Sequence, residues 1–271
     1  MPIDIHPEEK ISGVEVILDT LHAGGKFDND SYGFAGGLHG VGISVVNALS
    51  DTLQVTVKRE GKTYQITYHN GIKEGPLTPL PKGKVLKADT GTTVYFKPTA
   101  SYFDTHHFDI NRLIQLIKGK AILCPGLIIT LSVVNKNIEQ TFFYEQGLLA
   151  FIDEQENRDE AIQDIVFMGE SKRDKNENTS PMEFSWGCYF HEEVSLQNAY
   201  VNLIPTIQGG THVNSFRQGL FEGMSEFVAL HNLNPKKVAF NAADIAKISN
   251  FVVSLKMQDA SFAGQTKERL S

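Results

Sequence analysis

The run Gly36-Gly37-Leu38-His39-Gly40-Val41-Gly42 passes without a break into the apolar stretch Ile43 to Leu49. A glycine-rich turn that opens directly into a helix restricts what the chain can build there more than any other local feature. The first N–H groups of a helix have no intrahelical partner and carry the positive end of its dipole, so an anion satisfies both, provided no Cβ stands in its way. Glycine removes that Cβ. The junction therefore reads as a phosphate-binding turn, and the alternative is a glycine-rich turn used only for tight packing.

Spacing separates the phosphate-binding classes. A Walker A loop needs Gly, four residues, then Gly-Lys-Ser/Thr; around Gly25-Lys26 the first glycine position holds Thr20 and the hydroxyl position holds Phe27. A dinucleotide fingerprint started at Gly40 and Gly42 requires a third glycine where Val45 stands, and no clean strand pattern precedes it. Neither class fits.

Apolar periodicity places helices and strands around this turn. Ile11, Val14, Leu18 and Leu21 recur at helical spacing, as do Leu38, Val41, Val45 and Leu49, and then Ile110, Leu113, Ile114 and Ile117, predicting three core-facing helices. Leu53, Val55 and Val57 alternate with polar residues, and Tyr64, Ile66 and Tyr68 do the same across Glu60-Gly61, which predicts a hairpin. Val94 and Phe96, then Ile129, Leu131 and Val133, add strands. That order suits an antiparallel-rich sheet with helices on one face. After Gly147 the composition turns acidic over Asp153 to Asp164 and polar over Glu170 to Ser180, so a domain boundary is expected near residue 146. Beyond it, strands are expected at Phe184 to Phe190 and Tyr200 to Ile204. A helix follows with Phe216, Leu220, Met224 and Phe227 on one face, then a strand alternating at Phe251, Val253, Leu255 and Met257.

At 271 residues and 41% hydrophobic composition the chain exceeds one core and suffices for two. Cys124 and Cys188 form no Cys-x-x-Cys pair and read as reduced buried thiols. No apolar stretch is long enough to span a bilayer, and the first residues, Met1 to Pro7, are not a signal peptide; the expectation is a cytoplasmic protein with no membrane partner. A formal charge of −7 argues against a surface that is basic throughout. Lys172-Arg173-Asp174-Lys175 and Lys236-Lys237 are local basic spots, better explained as solvated loops.

Leu21-His22-Ala23-Gly24-Gly25-Lys26-Phe27, Tyr32 and Gly36 to Gly42 together resemble the ATP lid of the B subunits of bacterial type IIA topoisomerases, the family of DNA gyrase and topoisomerase IV. Ile3 to Glu9 resembles the segment ahead of that lid, and Gly91-Thr92 resembles the strand start that lines the adenine pocket. Gly209-Gly210-Thr211-His212 and Gln265-Thr266-Lys267 resemble the two signature stretches of the family's transducer domain. The matches keep their order across nearly the whole chain, and Ile204 to His212 with Lys256 to Leu270 look closer to topoisomerase IV than to gyrase.

The resemblance implies an α+β chain of two domains: a GHKL-type ATPase sandwich over 1–145, then a smaller α/β transducer domain over 146–271. It implies ATP and Mg2+ as cofactors. The partners would be a second B subunit, the topoisomerase A subunit and double-stranded DNA. Lys26 would reach the nucleotide phosphates and Tyr32 the adenine end. Gly37, Leu38, His39, Gly40, Val41 and Gly42 would offer backbone N–H groups to the phosphates, and Thr92 would line the adenine pocket. As the catalytic pair, Lys267 would stabilise charge on the terminal phosphoryl oxygens and Gln265 would position that group, coupling hydrolysis to domain rotation.

In the family a helix ahead of the lid carries a glutamate general base and a magnesium-binding asparagine. No Glu-x-x-x-Asn followed by Asp-x-Gly-x-Gly precedes the lid here. The expectation is a chain truncated at its amino end, stopping at Ser271 before the family's cleavage-subunit metal domain, and weak or inactive in hydrolysis by itself. His106-His107, His191-Glu192-Glu193 and His6-Pro7-Glu8-Glu9 lack His-Glu-x-x-His spacing, so no metal-ligating set is assigned to them. No Gly-x-Ser-x-Gly elbow is present either.

Overall fold

The computed structural model of the protein describes residues 1–23, 34, 36–37, 40–81, 86–105, 107–176, 179–233 and 241–271. They gather into two compact units, Met1–Tyr32 with Gly37–Phe108, and Gly33–Gly36 with Asp109–Ser271.

In the first unit, α1 (Gly13–Asp19) starts at Ser12, whose hydroxyl accepts from the Glu15 N–H while the Glu15 carboxylate accepts from the Ser12 N–H. This capping box satisfies two otherwise orphaned donors. Glu15 is buried, and burial pushes its carboxyl up, but hydrogen bonds from Lys73 at 2.9 Å and from Ser12 outweigh it and leave the group below its ordinary range. After α2 (Gly42–Ala48) come β1 (Ser50–Arg59), β2 (Lys62–His69), β3 (Ile72–Lys73), β4 (Thr78–Pro79) and β5 (Gly91–Pro98). They form one antiparallel sheet in the order β3-β2-β1-β5, with β4 also on β2.

The expected hairpin is present: Glu60 and Gly61 both take positive φ, 54° and 72°, as a two-residue type I′ turn requires. Its register sets Leu53, Val55 and Val57 opposite Tyr68, Ile66 and Tyr64. Val14 and Leu18 of α1 pack on this face, and with Leu53, Val55, Val57, Ile66 and Tyr68 they are at most 2% exposed. Each such side chain contributes roughly 1.5–3 kcal/mol of burial.

The helical faces differ from the periodicity. Helix α2 begins only at Gly42, so Val41 is its N-cap, and Ile43 and Val46 pack on the core while Val45 is 41% exposed. Four apolar residues at the right spacing do not make a face when the helix starts after the second of them. Leu21 likewise lies beyond the end of α1 and is exposed.

The second unit opens with α3 (Ile110–Leu123), capped by the Asp109 side chain. Next come the separate two-stranded sheet of β6 (Ile129–Val133) and β7 (Ile138–Phe142), then α4 (Leu148–Asp153). Strands β8 (Phe167–Arg173), β9 (Met182–Phe190), β10 (Gln197–Val201) and β11 (Ile204–Pro205) precede α5 (Thr211–Leu230), α6 (Ala242–Ala246) and β12 (Ser249–Met257). The sheet order is β11-β10-β12-β9-β8, in which β10 and β12 run parallel across the α5 connection and the other pairs are antiparallel.

Strand β12 is covered on both faces, not on one as its alternation suggests. Val252 packs with Tyr189, Tyr200, Ile122 of α3 and Ile152 of α4; Phe251 and Val253 pack with Cys188, Val213 and Phe216 of α5 and Ile245 of α6. The sheet is therefore the middle layer of three. The polar stretch read as a loop from Glu170 begins instead as β8, an edge strand whose residues are mostly exposed and so carry no apolar pattern. The strand expected at Tyr200 to Ile204 is broken by a turn at Asn202-Leu203, with φ of 48° and 66°. A left-handed leucine is strained by about 1–3 kcal/mol and needs support from its surroundings.

Candidate functional site

Of the glycine-rich turn, Gly36, Gly37, Gly40, Val41 and Gly42 are described, whereas Lys26, Tyr32, Leu38 and His39 lie outside the described residues. Gly40 sits at φ 58°, in the left-handed region. The N-cap Val41 makes no side-chain capping bond, so the first amides of α2 are not covered by the side chain that precedes them. A Cβ built on Gly42 meets nothing within 4 Å among the described residues. Among the described residues, nothing fills the space beside the helix start. Asn47 anchors α2 by donating to the Leu18 carbonyl at 3.3 Å. Thr92 lies at the start of β5, opposite Val57, and its hydroxyl accepts from the Met1 ammonium at 2.8 Å.

The second unit explains why two stretches far apart in sequence stand out together. Residues 262–270 fold back on themselves: Phe262 bridges Leu270, and the Ala263 N–H donates to the Arg269 carbonyl at 2.9 Å. This small hairpin docks on the residues before α5. The Leu270 N–H donates to the Gly209 carbonyl at 3.1 Å and the Gln208 N–H to the Glu268 carbonyl at 2.9 Å. The Thr211 hydroxyl donates to the Ser271 carbonyl at 3.1 Å. Gly209 and Gly210 take φ of 67° and 136°, and Gly210 lets the two backbones approach.

At the tip of that hairpin Gln265 is exposed and Lys267 is half-buried, with φ 59° and its N–H on the Gly264 carbonyl. The Lys267 ammonium donates to the Gly36 carbonyl at 2.8 Å. Gly36 in turn lies against the Asn202-Leu203 turn, where a Cβ on it would stand 2.7 Å from the Asn202 carbonyl oxygen. Thus the loop carrying Lys267 is bonded to the residue that begins the glycine-rich run. Sequence reasoning missed Asn202 and Lys120, whose ammonium donates to the Leu203 carbonyl. Asparagine tolerates the left-handed region and was the available signal, masked by apolar neighbours on both sides that read as one strand.

His212, at the start of α5, shares a hydrogen bond of 3.0 Å between Nε2 and the Thr206 hydroxyl, and burial pushes its pKa down to about 4. It is neutral near pH 7. Among the described residues no group of three or more His, Cys, Asp or Glu could hold a metal ion. His191 is instead occupied by the Glu193 N–H, which donates to its Nδ1 at 2.9 Å. Both cysteines are free thiols, and burial pushes Cys188 up to about 12. Lys172 lies 3.5 Å from Glu183, which dilutes that basic spot, while Lys236 and Lys237 lie outside the described residues. No helix among the described residues is long and apolar enough to cross a membrane.

A family model described as DNA gyrase B matches residues 147–271. The B subunit of DNA topoisomerase 4 from Haemophilus influenzae is 49% identical over 273 residues, which cover 100% of this chain and 42% of that protein. The B subunit of DNA gyrase from Helicobacter pylori is 37% identical over 270 residues, covering 100% of this chain and 34% of its own length. The solved topoisomerase IV ATP binding domain of Francisella tularensis, in complex with a small-molecule inhibitor, superimposes with a TM-score of 0.72 at 36% identity. That match covers 100% of this chain and 69% of the solved one. The chain thus spans well under half the length of the curated relatives it matches.

Proposed function

The chain belongs to the family of B subunits of bacterial type IIA DNA topoisomerases, on its topoisomerase IV side, and from that premise we propose that it is the ATP-binding and transducer region of such a protein. The phosphates of ATP are held by main-chain N–H groups of the glycine-rich turn, from Gly37 through Leu38, His39, Gly40 and Val41 to Gly42, at the head of α2. Lys26 and Tyr32 assist from the lid, and Thr92 lines the base. Lys267 brings a positive charge to the terminal phosphoryl group and Gln265 positions it, which is the electrostatic contribution phosphoryl transfer depends on. One observation carries this reading: the Lys267 ammonium is bonded, at 2.8 Å, to the carbonyl of Gly36, the first residue of the glycine-rich run.

A phosphate chain fits the turn as far as the described residues go, since none of them stands within 4 Å of where a Gly42 Cβ would be and the N-cap Val41 makes no side-chain capping bond. For Mg2+, the described residues hold no group of three or more His, Cys, Asp or Glu, and no step is derived through it. A polypeptide of this sequence binds without efficient turnover, because residues 1–35 contain no Glu-x-x-x-Asn pair to activate water. We place the functional boundary near residue 146, supported by the family model's match from residue 147. In the whole protein, ATP capture and hydrolysis would be coupled to DNA strand passage in the cytoplasm, with a second B subunit, an A subunit and double-stranded DNA as partners.

Titrating the 271-residue polypeptide with a non-hydrolysable ATP analogue tests the reading. Saturable binding that weakens in Lys267→Ala supports it; absence of binding at millimolar analogue overturns it.

A further inference from the structure

We propose that Lys120 is a positioning residue for nucleotide capture, holding the Asn202-Leu203 turn as the seat on which Gly36 rests; this builds on the ATP-binding reading above. Helix α3 carries Lys120. The adjacent Gly119 lets that helix run close to β10, since a Cβ there would stand 3.0 Å from the Tyr200 ring. From this position the Lys120 ammonium donates to the Leu203 carbonyl. Asn202 is secured from the other side. Its N–H donates to the Leu255 carbonyl at 2.8 Å, its Nδ2 donates to the Met257 carbonyl at 2.8 Å, and its Oδ1 accepts from the Met257 N–H at 2.9 Å. A two-residue turn with a leucine in the left-handed region is strained when left to itself, and these bonds over-determine it.

The seat has a shaped surface. A Cβ on Gly36 would stand 2.7 Å from the Asn202 carbonyl oxygen and 3.2 Å from Ile204 Cδ1, so only glycine lies flat against the turn. Lys267 holds the opposite partner by the Gly36 carbonyl at 2.8 Å. Two ammonium groups from separate elements therefore secure one contact: Lys120 the seat, Lys267 the residue seated on it. Lys120 touches no nucleotide in this scheme and acts through the turn. Displacing Gly36 displaces the first residue of the glycine-rich run and leaves Lys267 without its present aim.

The test compares the unaltered chain with Lys120→Met, Lys120→Arg and Gly36→Ala. Two quantities are measured: amide hydrogen exchange at Gly36 and Gly37 without nucleotide, and the Kd of a non-hydrolysable ATP analogue. The expected result is faster exchange and an analogue Kd raised about tenfold in Lys120→Met and Gly36→Ala, with Lys120→Arg restoring both. Exchange in Lys120→Met equal to that of the unaltered chain overturns the seat. Faster exchange with an unchanged Kd overturns the positioning role. Should Lys120→Met fail to fold, Gly36→Ala, which alters only a loop residue, decides the matter by the same two readings. Failure of the unaltered chain to bind analogue would sink the ATP reading and the role in capture with it, and the exchange data would still report whether the seat exists.

Discussion

Gly210 and Leu270 are in backbone contact: a Cβ on Gly210 would lie 2.3 Å from the Leu270 carbonyl oxygen and 2.7 Å from its nitrogen. No real Cβ tolerates such a distance, and both atoms are main chain, so neither can swing away. The hairpin that carries Lys267 docks on the start of α5 only because this position has no side chain.

Replacing Gly210 by alanine therefore combines a steric clash with a φ of 136° that L residues rarely adopt. The variant should lose about 2–4 kcal/mol of stability in urea unfolding. Its analogue binding should weaken as well, since Lys267 loses its support. A loss below about 0.5 kcal/mol would show that the close approach carries no weight.

The glycines of the turn should separate by mechanism. A Cβ on Gly42 meets nothing within 4 Å among the described residues, so in Gly42→Ala the unfolding midpoint should stay put while analogue affinity drops, the obstruction being felt by the ligand. Gly40→Ala forces a side chain into the left-handed region at φ 58° and should cost about 1 kcal/mol of stability in addition to affinity. His39→Ala should change affinity least, because the backbone N–H is retained. Calorimetric titration beside thermal melts measures all three, and an effect of His39→Ala larger than that of Gly42→Ala would contradict a main-chain grip.

Lys267→Met removes an ammonium while keeping most of the aliphatic length. The bond to the Gly36 carbonyl is lost, and analogue Kd should rise about 10–100-fold. Phosphate release by the 271-residue polypeptide should sit at background before and after the change, since residues 1–35 contain no Glu-x-x-x-Asn pair. Turnover well above background in the unaltered chain would mean that another group activates water.

Stability should fall on acidification through His212. Burial lowers its folded pKa from the ordinary 6.5 to about 4, so between those values the unfolded chain binds a proton that the folded chain refuses. The contribution is complete above pH 6.5 and declines as the pH drops toward 4, by on the order of 1 kcal/mol per pH unit. Unfolding free energies measured at pH 7 and pH 5 should differ less in His212→Gln than in the unaltered chain. Equal slopes in the two proteins would assign the pH dependence elsewhere.

Much of the chain was legible because period-two patterning and turn chemistry act locally. The β1–β2 hairpin needed only Glu60-Gly61 and alternating apolar residues, and both its turn and its register follow from them. The existence of α5, though not its bounds, followed from its apolar stripe in the same way, although Phe227 proves exposed near its end. Strand β8 and helix α6 were not legible: one is a mostly exposed edge, the other a five-residue helix marked by the Asn241 capping box. The core face of α2 was misread because its start, not its period, decides which residues are inside.

The amino-acid sequence alone determined the family resemblance and the glycine-rich turn, and that resemblance singled out Gly209-Gly210 and Gln265-Thr266-Lys267, since each is a short run that can be read from neighbouring residues. Only the tertiary structure decided that Gly210 admits the Lys267 hairpin, that Lys267 holds Gly36, and that Asn202 and Lys120 shape the surface beneath it. Those are contacts across as many as 231 positions of chain. No local pattern encodes them, because sheet register and helix docking set which backbones meet.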